Sequence, residues 1–128
     1  MIFSDTREFM RALRPSGDLI EVDKTVSWDL ELGAIGRLAC EKDGPALWFK
    51  NITDYSKEFT VFVNPLATWR RVALSFGLPP ESSVKEIYQE YEKREGELIP
   101  PTEVEDAPCH EVALRGGEVD LFRFPSPM

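Results

Sequence analysis

The chain has one histidine, His110, directly beside one of its two cysteines, Cys109, so metal or nucleophilic chemistry would first be sought there. Neighbouring side chains of an extended segment point to opposite faces, so a metal on this pair would need further donors recruited from distant carboxylates. The pair reads instead as an ordinary strand histidine and a reduced thiol. Cys40 stands far away, and the two cysteines form neither a CxxC unit nor a disulfide scaffold. Asp23, Asp29 and Glu31 cluster ahead of a helix, where acids complement the positive end of the helix dipole. Trp69-Arg70-Arg71 could present two cations to a phosphate or carboxylate near a helix N-terminus. The competing reading puts Trp69 on a buried stripe and leaves the arginines solvated or paired with acids. Gly33 and Gly36 fall inside a helix, where each weakens it by about 1 kcal/mol relative to alanine, and they point to close approach of another backbone. No nucleophile elbow, dinucleotide fingerprint or phosphate loop occurs. The residues nominate no catalytic, cofactor-binding or metal-binding side chain.

The elements that would position such residues alternate between helical and strand periods. Ser4 or Asp5 can cap a first helix, with Glu8 placed for a capping box and Phe9, Met10 and Leu13 as its apolar stripe. Pro15-Ser16-Gly17-Asp18 ends it, and Leu19-Ile20-Glu21-Val22 reads as a strand. From Ser27, Leu32, Ile35, Leu38 and Ala39 recur at helical spacing until Gly44-Pro45 stops them after Lys42. Ala46–Lys50 and Phe59–Val63 read as two central strands. Thr68 caps a helix bearing Trp69, Val72, Ala73 and Phe76, closed by Gly77 and Pro79-Pro80. Ser83 and Glu86 form a Ser-x-x-Glu capping box before Val84, Ile87, Tyr88 and Tyr91, which the spacing assigns to the core. Pro100 to Pro108 holds three acids and three prolines, the composition of an extended connector. Beyond it, His110–Arg115 and Glu118–Phe122 flank Gly116-Gly117, as in a tight β-hairpin.

A chain of 128 residues with 42% hydrophobic and 30% charged residues is one ordinary globular domain's worth. The fold class that follows is α/β or α+β: a small mixed sheet with several packed helices, followed by a C-terminal β-hairpin. The formal net charge of −8 argues against nucleic acid as a partner. The acidity is concentrated in residues 81–111, with ten acids and three bases, as in a solvated helix face and linker. No apolar run is long enough for a membrane span, and the N-terminus lacks the basic and apolar regions of a signal peptide. With so few cysteines, the expected location is the cytoplasm. The hairpin's Leu114, Val119, Leu121, Phe122 and Phe124 form an apolar surface that two strands cannot hide, so something outside the hairpin should cover it.

In order along the chain, these segments resemble the N-terminal region of the UbiD-like decarboxylases, which depend on prenylated FMN. The resemblance spans residues 4–127 and rests on Asp5-Thr6-Arg7-Glu8-Phe9 with Leu13, Gly17–Asp23, Asp29-Leu30-Glu31, and Gly44–Ile52. It continues through Val63-Asn64, Arg71–Leu74 with Gly77, Ala107-Pro108, Glu111-Val112, Val119-Asp120-Leu121 and Pro125-Ser126-Pro127. Many relatives carry Gly-Ser where this chain has Ala67-Thr68, and leucine in place of Thr6, which bears on subfamily more than on fold.

The resemblance implies a parent enzyme, a carboxy-lyase that decarboxylates an aromatic or α,β-unsaturated carboxylic acid reversibly and without oxidation. Such enzymes use prenylated FMN with a divalent metal (Mn) and K. Family members run on for several hundred residues through a split-barrel flavin domain and an oligomerisation domain. Their catalytic residues lie there, so none carries over to this chain. The expected organisation is an N-terminal α/β domain over residues 1–97, a Pro/acidic linker over 98–108, and at 109–128 the hairpin that begins the flavin domain. The chain would bind no cofactor alone and would be a non-catalytic part of an oligomer, its partner being the remainder of the decarboxylase, in cis or as a separate chain. The rival expectation is a complete small interaction or regulatory subunit that docks its hairpin on a catalytic chain by edge-strand addition.

Overall fold

A computed structural model describes residues 3–127. It contains α1 (Thr6–Leu13), β1 (Leu19–Val22), α2 (Glu31–Glu41), β2 (Ala46–Phe49), β3 (Val61–Val63), α3 (Trp69–Ser75) and α4 (Val84–Glu95). Short 3-10 turns follow at Pro108–His110, Gly116–Glu118 and Leu121–Arg123.

The sheet has the order β1-β2-β3. β1 and β2 run parallel, Leu19 opposite Ala46 and Val22 opposite Phe49, with α2 as the crossover that a parallel pair requires. β3 returns antiparallel, Phe62 opposite Trp48. Only β2 is therefore central, and β3 is an edge strand, contrary to the expectation of two central strands. A run of aromatic and β-branched residues looks the same from either position, since what differs is the number of neighbours.

The period-2 alternation divides the core in two. Leu19 and Ala46 point to one face, where Phe9, Met10 and Leu13 of α1 cover them, with Trp48, Phe62 and Leu74 around the margin. Leu47 and Phe49 point to the other face and pack with Leu32, Val26 and Ile52, supported by Ile35, Ala39, Val61 and Val63. The arrangement is a mixed α/β fold with helices on both faces of a small sheet.

Several details depart from the sequence reading. Asp5, not Ser4, caps α1 by accepting from the Glu8 amide at 2.7 Å, while the Glu8 carboxylate turns to the Ser4 amide at 2.6 Å. That bond from the Ser4 backbone holds the Glu8 carboxyl below its usual range. α2 begins at Glu31 rather than near Ser27, because Leu30 adopts φ +64° and breaks the helical path. The Glu31 carboxylate still reaches back to the Ser27 amide at 2.8 Å. Of the three acids assigned to this helix start, only Glu31 lies in the first turn. Asp23 faces Lys50 instead. Gly36 marks a close approach of a side chain, not of a backbone: a Cβ there would sit 3.4 Å from Val63 Cγ2. Asn64, at φ +59°, then donates its side-chain amide to the Gly36 carbonyl at 2.7 Å and ties β3 to α2. Leu38, assigned to the apolar stripe, is exposed.

The C-terminal hairpin is not formed. Among the described residues no strand follows β3, and residues 111–124 are exposed coil and 3-10 turns. Gly116 does take positive φ, +55°, but it opens a 3-10 turn. A two-stranded ribbon with no third strand to pack on is marginal in water, and here nothing supplies one.

Candidate functional site

Arg70 and Arg71, the most plausible ligand-binding pair in the sequence, are both committed to one acid. Asp18 lies at the turn into β1 and receives Arg70 Nε at 2.6 Å and an Arg71 terminal nitrogen at 3.4 Å. Arg71 is 0% exposed, and the same nitrogen donates to the Gly44 carbonyl at 3.0 Å. Its Nε and other terminal nitrogen are buried without partners. Arg71 is thus a buried tie between α3, β1 and the turn before β2; of the two expected alternatives, solvation or pairing with an acid, pairing holds for both arginines. Of the expected stripe Ala73 is buried and Val72 and Phe76 are half-buried, but Trp69 is 54% exposed and Arg71 is buried in its stead.

On α4 the expected stripe is buried at one position only. Its Ser83–Glu86 capping box forms as expected, and the Ser83 hydroxyl holds the Glu86 carboxyl below its usual range. Yet only Ile87 of the expected stripe is buried. Tyr88 and Tyr91, assigned to the core, are exposed and line a cleft of 380 Å³ with Trp69, Phe76 and Ile87. Arg94 closes the α3–α4 junction by donating to the Phe76 carbonyl at 2.6 Å from above the Phe76 ring.

A larger groove, 680 Å³, lies between α1 and β3. Arg7, Arg11 and Arg14 form its wall, Trp48 and Phe62 its apolar floor, and Asp5, Thr6, Met10 and Thr60 its margins. Arg14 pairs with Glu21 at 2.6 Å and lies over Trp48. Lys50 flanks the same ring and bonds Glu21 as well. Their mutual hydrogen bond lowers the Glu21 carboxyl and raises the Lys50 ammonium from their ordinary values.

Among the described residues, the side-chain hydrogen bonds and ring contacts from the C-terminal segment to the body gather at its last turn. Tyr55 donates its hydroxyl to the Phe122 carbonyl at 2.7 Å and lies 3.2 Å from that of Phe124. Trp28, Tyr55, Phe59 and Phe124 form a run of edge-to-face rings, and Pro125 is buried. Upstream, Leu121 and Phe122 are 77% and 73% exposed. The sequence reading found this uncovered surface but missed its anchor, since no local signal links Tyr55 and Phe59 to residues almost seventy positions away. Asp18 was missed as the acid shared by two arginines. The α1 arginines were also missed, although their i, i+4, i+7 spacing places them on one helix face.

Cys109 and His110 lie in an exposed turn, and Cys40 is exposed on α2. Among the described residues no three His, Cys, Asp or Glu side chains gather where a metal could bind. No helix among them is long and apolar enough to cross a membrane.

Comparison with known proteins agrees with this architecture. The chain is 36% identical to pyrrole-2-carboxylic acid decarboxylase of Pseudomonas aeruginosa, over 97% of its own length and 27% of the relative's. It is 35% identical to phenolic acid decarboxylase of Bacillus subtilis, over 95% and 26%. It therefore spans about a quarter of the length of these relatives. The solved vanillic acid decarboxylase of Sedimentibacter hydroxybenzoicus in its closed form superposes with a TM-score of 0.79 at 31% identity, over 95% of this chain and 26% of that one. The open form of the same protein superposes with 0.67, over 73% and 20%. Residues 10–91 match the family model for the 3-octaprenyl-4-hydroxybenzoate carboxy-lyase N-terminal domain, and the chain belongs to that family, the N-terminal region of the UbiD-like decarboxylases.

Proposed function

We propose that this chain is the structural N-terminal part of a carboxy-lyase that decarboxylates an aromatic or α,β-unsaturated carboxylic acid without oxidation. The observation that carries this reading is the half-docked C-terminal segment. It is fixed at Tyr55 and Phe59 yet presents Leu121 and Phe122 to solvent, as a segment would that continues into another body. In this reading residues 1–97 are the domain, 98–108 the linker, and 109–128 the start of the flavin-binding domain. The names of the relatives, pyrrole-2-carboxylic, phenolic and vanillic acid decarboxylases, support the substrate class.

Prenylated FMN supplies the electron sink for this chemistry in the parent. This chain's described residues do not fit that cofactor or its metal: His110 stands alone, no carboxylates converge, and Arg70 and Arg71 are bound to Asp18. The chain's own contribution is to hold the last turn of the segment in place through Tyr55 and Phe59. The parent is cytoplasmic and oligomeric, and this chain's partner is the rest of the enzyme, in cis or as a separate chain. Among the described residues no preformed C-terminal hairpin offers itself for edge-strand addition, so strand pairing with that partner would form on contact.

The test combines the purified chain with prenylated FMN and an aromatic carboxylic acid. No decarboxylation and no stoichiometric flavin absorbance are expected; either one would overturn the non-catalytic assignment. The intact mass of the native gene product then distinguishes a part of a longer polypeptide from a short subunit.

A further inference from the structure

The α1–β3 groove concentrates positive charge on a chain whose net charge is −8. Arg14 pairs with Glu21; among the described residues Arg7 and Arg11 make no ion pair, Arg11 donating its Nε to the Arg7 carbonyl and acting on Glu8 only at longer range. Asp5, the α1 cap, sets one negative charge at the margin against the three arginines. A concave wall with this surplus of guanidinium charge over an aromatic floor suits an anionic segment with some apolar character.

The groove also reaches β3, which bonds β2 on one side and among the described residues has no strand on its other side. Thr60 and Phe62, two residues apart, both line the groove. A strand laid along the free edge would send alternate side chains into the same space. Residues two apart on that strand repeat every 6–7 Å, roughly the 6 Å rise between Arg7 and Arg11 on α1.

We infer that this groove takes an extended acidic strand from a second copy of the chain, Thr102-Glu103-Val104-Glu105-Asp106. That segment belongs to no element in the structure and is exposed throughout. Glu103 and Glu105 have the two-residue spacing the arginines require, and the surrounding residues 81–111 carry the chain's excess acid. Within one copy the segment makes no hydrogen bond or ion pair to α1 or β3 among the described residues. The pairing would be reciprocal, each copy giving one strand and receiving one, as a two-fold dimer requires. The proposal is independent of the catalytic reading, since it concerns association of this chain whatever the parent does.

The test is the mass of the full chain by light scattering after size exclusion. A dimer is expected at about 50 mM salt, with the mass halving at about 500 mM as screening removes the attraction. The double variant Arg7→Glu/Arg11→Glu and the double variant Glu103→Arg/Glu105→Arg should each be monomeric and retain the wild-type circular dichroism. Mixed in equal amounts they should form a one-to-one heterodimer, because each groove then meets a segment of opposite charge. A wild-type chain that stays monomeric at low salt, a dimer indifferent to salt, a variant that dimerises alone, or a mixture that stays monomeric would each overturn the proposal.

Discussion

Arg71→Met should be nearly neutral, although it removes a fully buried charge. The side chain makes two bonds, a 3.0 Å bond to the Gly44 carbonyl and a 3.4 Å contact with Asp18 at the long limit of a hydrogen bond. Bonds to a charged group contribute about 1.5–3 kcal/mol each, the longer one at the low end. Against them stand two buried nitrogens without partners, Nε and one terminal nitrogen, each costing about 1–3 kcal/mol. The two sides cancel to within about 1.5 kcal/mol, and methionine preserves the apolar stem and most of the volume. Asp18 is not stranded, because Arg70 Nε remains 2.6 Å away. Arg71→Ala also empties the site and should lose about 3 kcal/mol or more. Urea unfolding followed by tryptophan fluorescence, with midpoints compared at a common slope, measures both. If Arg71→Met loses as much as Arg71→Ala, the nitrogens without partners are satisfied in solution and the reasoning fails.

Tyr55→Phe removes the hydroxyl that reaches the Phe122 and Phe124 carbonyls, so amide exchange over residues 120–126 should accelerate severalfold while that of β2 stays unchanged; equal protection in both proteins would show that the rings alone hold the segment. Ser83→Ala should cost about 1 kcal/mol as loss of an N-cap, read from the unfolding midpoint. Because Ser83 lowers the Glu86 carboxyl, that bond's contribution is present above the ordinary carboxylate pKa near 4.5 and lost as pH falls through the lowered folded value. The difference between wild type and Ser83→Ala should therefore narrow on acidification, and a difference that widens would contradict the assignment. Gly36→Ala should lie within about 1 kcal/mol of wild type, since its Cβ meets Val63 Cγ2 at ordinary contact while helix propensity improves. Gly36→Ile should lose about 1–3 kcal/mol by overpacking against β3, measured by thermal unfolding.

Local signals in the sequence located the elements better than their faces. The Ser83–Glu86 box, Thr68 before α3 and the stops at Gly44 and Gly77 were legible because each depends on residues within one turn. Which face of α3 or α4 points inward depends on what the helix meets. Trp69, Tyr88 and Tyr91 have the spacing of a core stripe, but α3 turns Arg71 and Ala73 to the sheet, and α4 buries only Ile87. The placement of Arg71 could not be read locally, since its partners Asp18 and Gly44 lie 53 and 27 positions away. Spacing left the arginine either solvated or paired with an acid, and resemblance tied Arg71-Val72-Ala73-Leu74 to a family pattern; neither foretold that it is buried.

The hairpin expectation failed for a reason that bears on the function. Gly116-Gly117 and the flanking apolar residues are compatible with a ribbon, but ladder formation needs a face to pack on, and the body offers Tyr55 and Phe59 to the last turn only. Burying an aromatic or large aliphatic side chain stabilises by roughly 1.5–3 kcal/mol, so covering Leu121 and Phe122 would contribute several kcal/mol to whatever surface covers them. That exceeds the preference of a lone ribbon for coil, so strand pairing here should form on contact with a further sheet and not before. In the proposed reading, a segment anchored at one end and unpaired along the rest finds its remaining apolar contacts on the rest of the enzyme.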